Sequence, residues 1–202
     1  ILARADPDDK DGDGISGRPN WVGEEGKPPL LGRFGWKAGN AVIAQQSAEA
    51  FAGDMGISSP LVRRPAGDCT ERQPTCLNAP NGNTPPETGT EINKDLFDLV
   101  VFYSQNLAVP ARRDPRGPKV LRGKALFGAS GCASCHTPSH VTGEAGAENP
   151  HLSRQTVWPY SDLLLHDMGD GLADNRPERE ANGREWRTPP LWGIGLTKTV
   201  NG

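Results

Sequence analysis

The residues in this chain best suited to chemistry stand together at Cys132-Ala133-Ser134-Cys135-His136. Two thiols about one helical turn apart can reach the two vinyl groups of one porphyrin. The histidine directly after them is a nitrogen ligand for its iron. Cys-x-x-Cys-His is the attachment pattern of a c-type haem. A zinc site or a redox dithiol would use the same pair, but zinc asks for four ligands and no second pair has comparable spacing. Covalent haem is therefore the expected chemistry, with His136 on the iron.

A second set of potential ligands lies near the N-terminus. Asp9, Asp11 and Asp13 alternate and are followed by Gly14. Alternating carboxylates that converge on a hard cation, with a glycine at the sharp turn, open an EF-hand loop. The pattern then weakens, because the closing position holds Asn20 where a bidentate Glu is usual. Calcium on these three aspartates and a solvated loop of Asx turns both remain open. The other cysteines, Cys69 and Cys76, sit in a Pro/Asn/Gly-rich stretch that can hardly hide free thiols, so a disulfide is expected. Haem attachment and a disulfide both point to a periplasmic or otherwise extracytoplasmic setting.

The elements that position these groups are read from periodicity. Pro118 opens a helix through Val120, Leu121, Leu126 and Phe127 that leads into the cysteines. Gly123 and Phe127 lie where small cytochromes c carry a glycine crossed closely by a second helix and a phenylalanine packed near the haem. Asn40 is a candidate cap for a helix over 41–53, and Gly53 or Gly56 ends it. Leu96, Leu99, Val100, Tyr103 and Leu107 predict a helix over 92–107, stopped by Pro110, with a charged linker at 111–117. Residues 57–90 read as an irregular insertion. Ser161 or Asp162 is expected to cap a short helix ending at Gly169. On such a helix Leu164 and Met168 share a face, and His166 turns back toward Asp162. Thr188-Pro189-Pro190 predicts one further turn through Trp192.

The 202 residues include 25 Gly and 19 Pro, with only 35% hydrophobic residues and a net charge of −3. Such a chain is loop-rich, and a buried haem would add apolar core that its side chains do not supply. The charge gives no reason to expect a nucleic acid or an anionic membrane. No apolar run spans a bilayer. The first residue is not Met, and the chain reads as an excised segment or a processed product. Trp158, Trp186 and Trp192 are expected in the core, and His140 and His151 in exposed loops.

The blocks Gly32–Ala38, Gly53–Gly56, Cys132–Pro138, Tyr160–Gly169 and Arg184–Gly195 together resemble the di-haem oxidoreductases, a peroxidase-like family also known as thiol oxidoreductases. More distantly they resemble bacterial di-haem cytochrome c peroxidases. The resemblance implies a mainly α fold of cytochrome c-like helical domains with long irregular loops. Residues 1–110 would form a partial first domain and inter-domain region, and residues 111–202 a second haem domain truncated at its C-terminus. It implies that Cys132, Cys135 and His136 hold the electron-delivering haem, and that a second haem is attached upstream of residue 1. Trp36 matches the tryptophan between the haems. Asp54, with Met55, stands where the relatives carry a Glu-Met pair whose glutamate is the acid/base, and here it is shorter by one methylene. Arg187 falls in the turn that precedes a distal ligand supplied, in those relatives, from beyond residue 202. Arg184 and Arg187 suit haem propionates.

Within the chain, Met168, His166 and His140 are the candidates for a sixth iron ligand. A His/Met pair would suit an electron-delivering haem. The expected activity is haem-dependent electron transfer within a peroxidase-like enzyme, from a redox partner protein or a small electron donor. A pure electron-transfer cytochrome and a haem-stabilised interaction domain are the alternatives.

Overall fold

The structure, a computed structural model, describes residues 1–23, 26–83 and 89–200. The chain divides into two compact units, residues 40–107 and residues 1–39 with 108–202. The expected mainly α fold is not what forms. About 30% of the described chain is helical and 11% strand, in five short helices and small sheets, so the architecture is mixed. The physical reason lies in composition. With this much Gly and Pro, long helices cannot propagate, and the loops close through short two-stranded ladders instead. Among the described residues no helix is long and apolar enough to cross a membrane.

The 40–107 unit is the helical one. Helix α1 spans Ile43–Met55. Gln45 rather than Asn40 closes its start, its side-chain oxygen accepting from the Ala41 and Val42 N–H groups at 2.9 and 3.3 Å. Gly56 ends it at φ +68°, where Gly56 N–H reaches Ala52 O and Ile57 N–H reaches Phe51 O, a left-handed C-terminal cap. Helix α2 is a single turn, Pro74–Leu77. Cys76 on it is bonded to Cys69, with Cα atoms 6.1 Å apart. Helix α3 spans Lys94–Asn106, and Asn93 caps it by accepting from Leu96 N–H at 2.9 Å. Ala48 and Ala52 of α1 and Phe97 of α3 are buried, and Phe97 meets Phe51 at 6.4 Å between ring centroids. Part of the expected irregular stretch 57–90 lies outside the described residues. In the rest, Glu91 accepts from the N–H groups of Ser58 and Gly82, which lowers its pKa.

The other unit opens with strands β1 (Trp21–Val22) and β2 (Leu30–Leu31), paired antiparallel. After residue 108 come α4 (Pro118–Ala129), the β3–β4 pair (His140–Val141 with Thr156–Val157), the β5–β6 pair (Leu165–Asp167 with Glu185–Arg187) and α5 (Thr197–Val200). The expected helix over 161–169 is absent. Ser161 and Asp162 do make the local bonds of a cap, to Leu163 N–H and Leu164 N–H. The chain then extends as β5 and pairs with β6 in the register Leu165↔Arg187, His166↔Trp186. Arg18 adds to the other edge of β5, exchanging both backbone hydrogen bonds with Leu165. The expected turn at 188–192 falls later, at Ile194–Leu196.

The centre of this unit is polar. Ala38, Leu165 and Ala181 form a small apolar cluster. Around it, buried Asn20 donates to Lys37 O and Glu178 O and accepts from Glu180 N–H. Lys37, 2% exposed, places its ammonium on Asp174 Oδ1 (2.6 Å), Arg176 O (2.6 Å) and Asn182 O (3.0 Å), and 4.7 Å from the Trp186 ring centre.

Glu185 is held from two sides. Arg18 donates to it through Nε and Nη2, both at 2.6 Å, and Asn182 N–H at 2.8 Å. Burial alone would raise its pKa, but the Arg18 and Asn182 hydrogen bonds reverse that, and the folded value lies below the ordinary one. A depressed folded pKa gives stability that is present above the unfolded pKa and lost as pH falls through the folded one. Glu185→Gln should cost about 2–3 kcal/mol at pH 7, less than a fully buried pair because Arg18 stays partly in water. The same change should flatten the acid limb of stability against pH. Urea unfolding at pH 7 and at pH 3.5 checks this, and an equal loss at both would contradict it.

Candidate functional site

Pro118 is the first residue of α4, where its missing N–H costs nothing. Gly131, at φ +75°, turns the chain out of the helix immediately before the cysteines. The next residues coil as turns, with Ser134 N–H on Gly131 O and His136 N–H on Cys132 O at 3.0 Å. Cys132 is exposed, Cys135 is half-buried, and both are free thiols.

His136 is oriented from behind. Its Nδ1–H donates to Tyr160 O at 2.7 Å. That bond fixes the tautomer and leaves Nε2 with its lone pair for a metal. Phe127 stands edge-on to both the His136 ring (6.2 Å) and the Tyr160 ring (5.5 Å). The segment after Tyr160 is laced to the cysteine turn by Ser161 N–H on Thr137 O and Asp162 N–H on Cys135 O, both 2.9 Å. Behind Cys135, its Sγ lies 3.8 Å from His166 Nδ1, and His166 Nε2 lies 2.8 Å from buried Asp162 Oδ2. Burial pushes the Cys135 thiol up, and the charges of Asp162 and then Asp13 push it further.

These residues fit a covalent haem. The two thiols are unbonded, and His136 Nε2 is available. Leu121 and Leu126 of α4 stay half exposed, as an apolar face would if a porphyrin covered it. Thr137 Oγ1, directly after the histidine, is buried with no hydrogen-bond partner among the described residues, and a buried hydroxyl in that state carries a cost that a bound polar group relieves. One cytochrome-like expectation is not met. A side chain at Gly123 would touch nothing among the described residues, so no second helix crosses there.

The other expected site residues stand as follows. Trp36 is 76% exposed. Its backbone is tied to β6, since Arg187 donates N–H to Trp36 O (2.9 Å) and Nε–H to Gly35 O (2.8 Å). Arg187 is half-buried and forms no ion pair among the described residues, and burial lowers its pKa. Arg184 is already engaged, by Asp167 at 3.1 Å and Asp170 at 3.3 Å. Met168 follows β5 and is half exposed while Leu164 is fully buried, so the shared helical face expected for them does not exist. His166 has both ring nitrogens occupied, as above. His140 lies on β3 and bonds Ser161 O through Nε2, rather than standing free in a loop. Asp54 is exposed in the last turn of α1 in the other unit. Oxygen atoms of Asp9, Asp11 and Asp13 lie within 4.8 Å of one another. Oxygens each about 2.4 Å from one calcium ion can be no farther apart than that. The same carboxylates also accept backbone N–H groups of Asp13, Gly14 and Ile15, as Asx turns do.

Trp158 and Trp192, expected in the core, are 53% and 43% exposed and stand at the surface. The Tyr160 carbonyl, the His166–Asp162 pair as a support of Cys135, and the ammonium of Lys37 were not visible as a site in the sequence. Only strand pairing between distant segments assembles them.

The polar-cored, mixed fold presents an oriented histidine and two free thiols on one turn. The family described as "Di-haem oxidoreductase, putative peroxidase" matches residues 1–202, and the chain belongs to that family. Membership implies haem as the cofactor. No curated protein and no solved structure matches the chain.

Proposed function

We propose that this chain carries one covalently attached haem on Cys132 and Cys135 and works as the electron-delivering part of an extracytoplasmic, peroxidase-like oxidoreductase. The observation that carries the reading is the His136 Nδ1–Tyr160 O bond, which leaves Nε2 as the iron-facing nitrogen. A bound haem supplies one-electron chemistry. The chain's own residues hold and tune it. Tyr160 O orients His136 and fixes its tautomer, and Phe127 packs against the ring. His166, backed by Asp162, supports Cys135. Thr137 offers a hydroxyl, and Arg187, whose Nε and Nη1 are held by Gly35 O and Thr188 O, offers its remaining guanidinium donors to a carboxylate. Trp36 is joined to this frame through Arg187 and the β5–β6 ladder, which suits a role in the electron path. Asp54 is the acid/base candidate for substrate, and the second haem of a di-haem protein would be held outside residues 1–202. A partner protein or a small reductant supplies electrons.

The test is ligand binding to the ferric, haem-loaded protein. If Met168 completes the coordination of an electron-transfer haem, a sulfur-to-iron charge-transfer band appears, disappears in Met168→Ala, and wild type resists cyanide. If the band never appears and cyanide binds at once, the haem has an open face and Met168 is not a ligand. An absence of covalent haem after expression with c-type maturation machinery would overturn the proposal as a whole.

Calcium at Asp9, Asp11 and Asp13 belongs to the same reading. Calorimetry should detect binding at millimolar calcium or below and lose it in Asp11→Asn/Asp13→Asn. No heat in wild type would remove calcium from the proposal.

A further inference from the structure

Next to the histidine turn lies a cavity of about 170 Å³ whose wall includes Arg112, Arg113, Trp158, Tyr160, Leu191 and Trp192. Its composition is unusual for this protein. It brings two guanidinium groups and three aromatic rings to one place on a chain with few aromatic residues. The aromatic side is fixed. Trp192 Nε1–H donates to Trp158 O at 2.6 Å, and Leu191 N–H to Pro159 O at 2.8 Å. The Tyr160 ring is clamped between Phe127 on one side and the Arg112 guanidinium, 5.2 Å from its centre. Arg112 also donates to Tyr160 Oη at 2.7 Å. On the basic side the Arg113 guanidinium lies against Gly195, where a Cβ would fall 2.3 Å from Nη2. Among the described residues neither Arg112 nor Arg113 forms an ion pair with a carboxylate. The protein thus supplies cations and flat apolar walls and no anion.

We propose that this cavity binds a carboxylate carried on a planar conjugated ring, with Arg112 and Arg113 taking the carboxylate and Trp158, Tyr160 and Trp192 lining the ring. Guanidinium matches carboxylate through paired N–H donors, and it stacks on aromatic faces as Arg112 already does on Tyr160. Offset or edge contact between rings adds to the burial of apolar surface. The volume suits one small ring system or the edge of a larger one, so the carboxylate has two sources. It is a propionate of the haem on Cys132 and Cys135, which rests on the function proposed above, or it belongs to a separate small aromatic acid. Tyr160 links the cavity to the haem turn either way, because its carbonyl holds His136 and its ring forms the cavity wall.

The experiment titrates the haem-free full chain with 2-naphthoate and with neutral 2-naphthamide, followed by tryptophan fluorescence. The acid is expected to bind about tenfold more tightly than the amide, the margin of one charge-assisted interaction. Arg112→Gln/Arg113→Gln should erase that preference. Arg112→Lys/Arg113→Lys should keep part of it, which guards against a folding defect. Equal affinity for acid and amide, no binding of either, or a preference that survives the glutamine pair would overturn the proposal. Repeating the titration on haem-loaded protein separates the sources. Lost naphthoate binding assigns the cavity to haem propionates, and retained binding assigns it to a separate ligand. Covalent haem is read independently by the pyridine haemochrome, so a chain that takes no haem leaves the naphthoate result standing.

Discussion

Serine at both Cys132 and Cys135 should leave the protein with no covalently attached haem. Wild type, matured in a host that attaches c-type haem, should keep its haem through denaturation and acidified organic solvent and give a c-type pyridine haemochrome. The double variant should release all of it into the solvent. Each single serine variant should keep one thioether and shift the haemochrome toward that of a porphyrin with one free vinyl. The two positions are not equivalent. Cys132 is exposed, while Cys135 is half-buried with His166 and Asp162 behind it. Cys135 is only half-buried, so that variant should fold. His136→Ala should leave the thioethers in place while removing the iron's nitrogen ligand, visible as a changed ferric spectrum at unchanged haemochrome yield. Haem that resists extraction in the double serine variant would refute the attachment site.

Lys37→Met should destabilise the protein by about 3 kcal/mol. Its ammonium is almost fully buried and bonds Asp174, Arg176 O and Asn182 O, while Asp174 remains about a third exposed. Methionine keeps the stem and removes every donor. The two carbonyls lose their partner, and Asp174 regains water, which holds the cost at the lower end of the range for a broken buried pair. Arginine should not rescue, because a planar fork does not fit where a compact ammonium sits over Trp186. Urea unfolding measures the change, and a loss under about 1 kcal/mol would show that water replaces the ammonium.

What the sequence made legible was what neighbouring residues decide. The Cys-x-x-Cys-His turn, the proline that opens α4 and the spacing that defines α3 are all set within a few positions. The segment 161–169 shows the limit. Ser161 and Asp162 do make cap bonds, and His166 does meet Asp162, yet the backbone between them is extended. A run of nine residues fits either period, and the arbiter was β6, twenty residues later. The mainly α expectation failed for the same reason, since strands of two or three residues leave no alternation to read. Lys37 gave no signal at all, because its acceptors come from residues 174–182. Trp158 and Trp192 were assigned to the core by residue type, and the structure places them around a surface cavity.

The two units also differ in when they can form. Every contact within residues 40–107 is available once that stretch has left the ribosome, and helices α1 and α3 meet across the connection from Gly56 to Asn93. The other unit is tied by Arg18 to Glu185, by Arg187 to Gly35 and Trp36, and by Lys37 to Asp174, pairs separated by 137 residues or more. Contacts of that sequence separation are the slowest to establish. During synthesis Arg18, Gly35, Trp36 and Lys37 therefore wait for their partners while the middle of the chain folds, and the cysteine turn emerges before β6 exists to complete its frame. Until then His166, which lies beside Cys135, has no strand on its far side. With haem attached as proposed, the order of synthesis would give attachment machinery an interval in which the cysteine turn is not yet framed by β5 and β6.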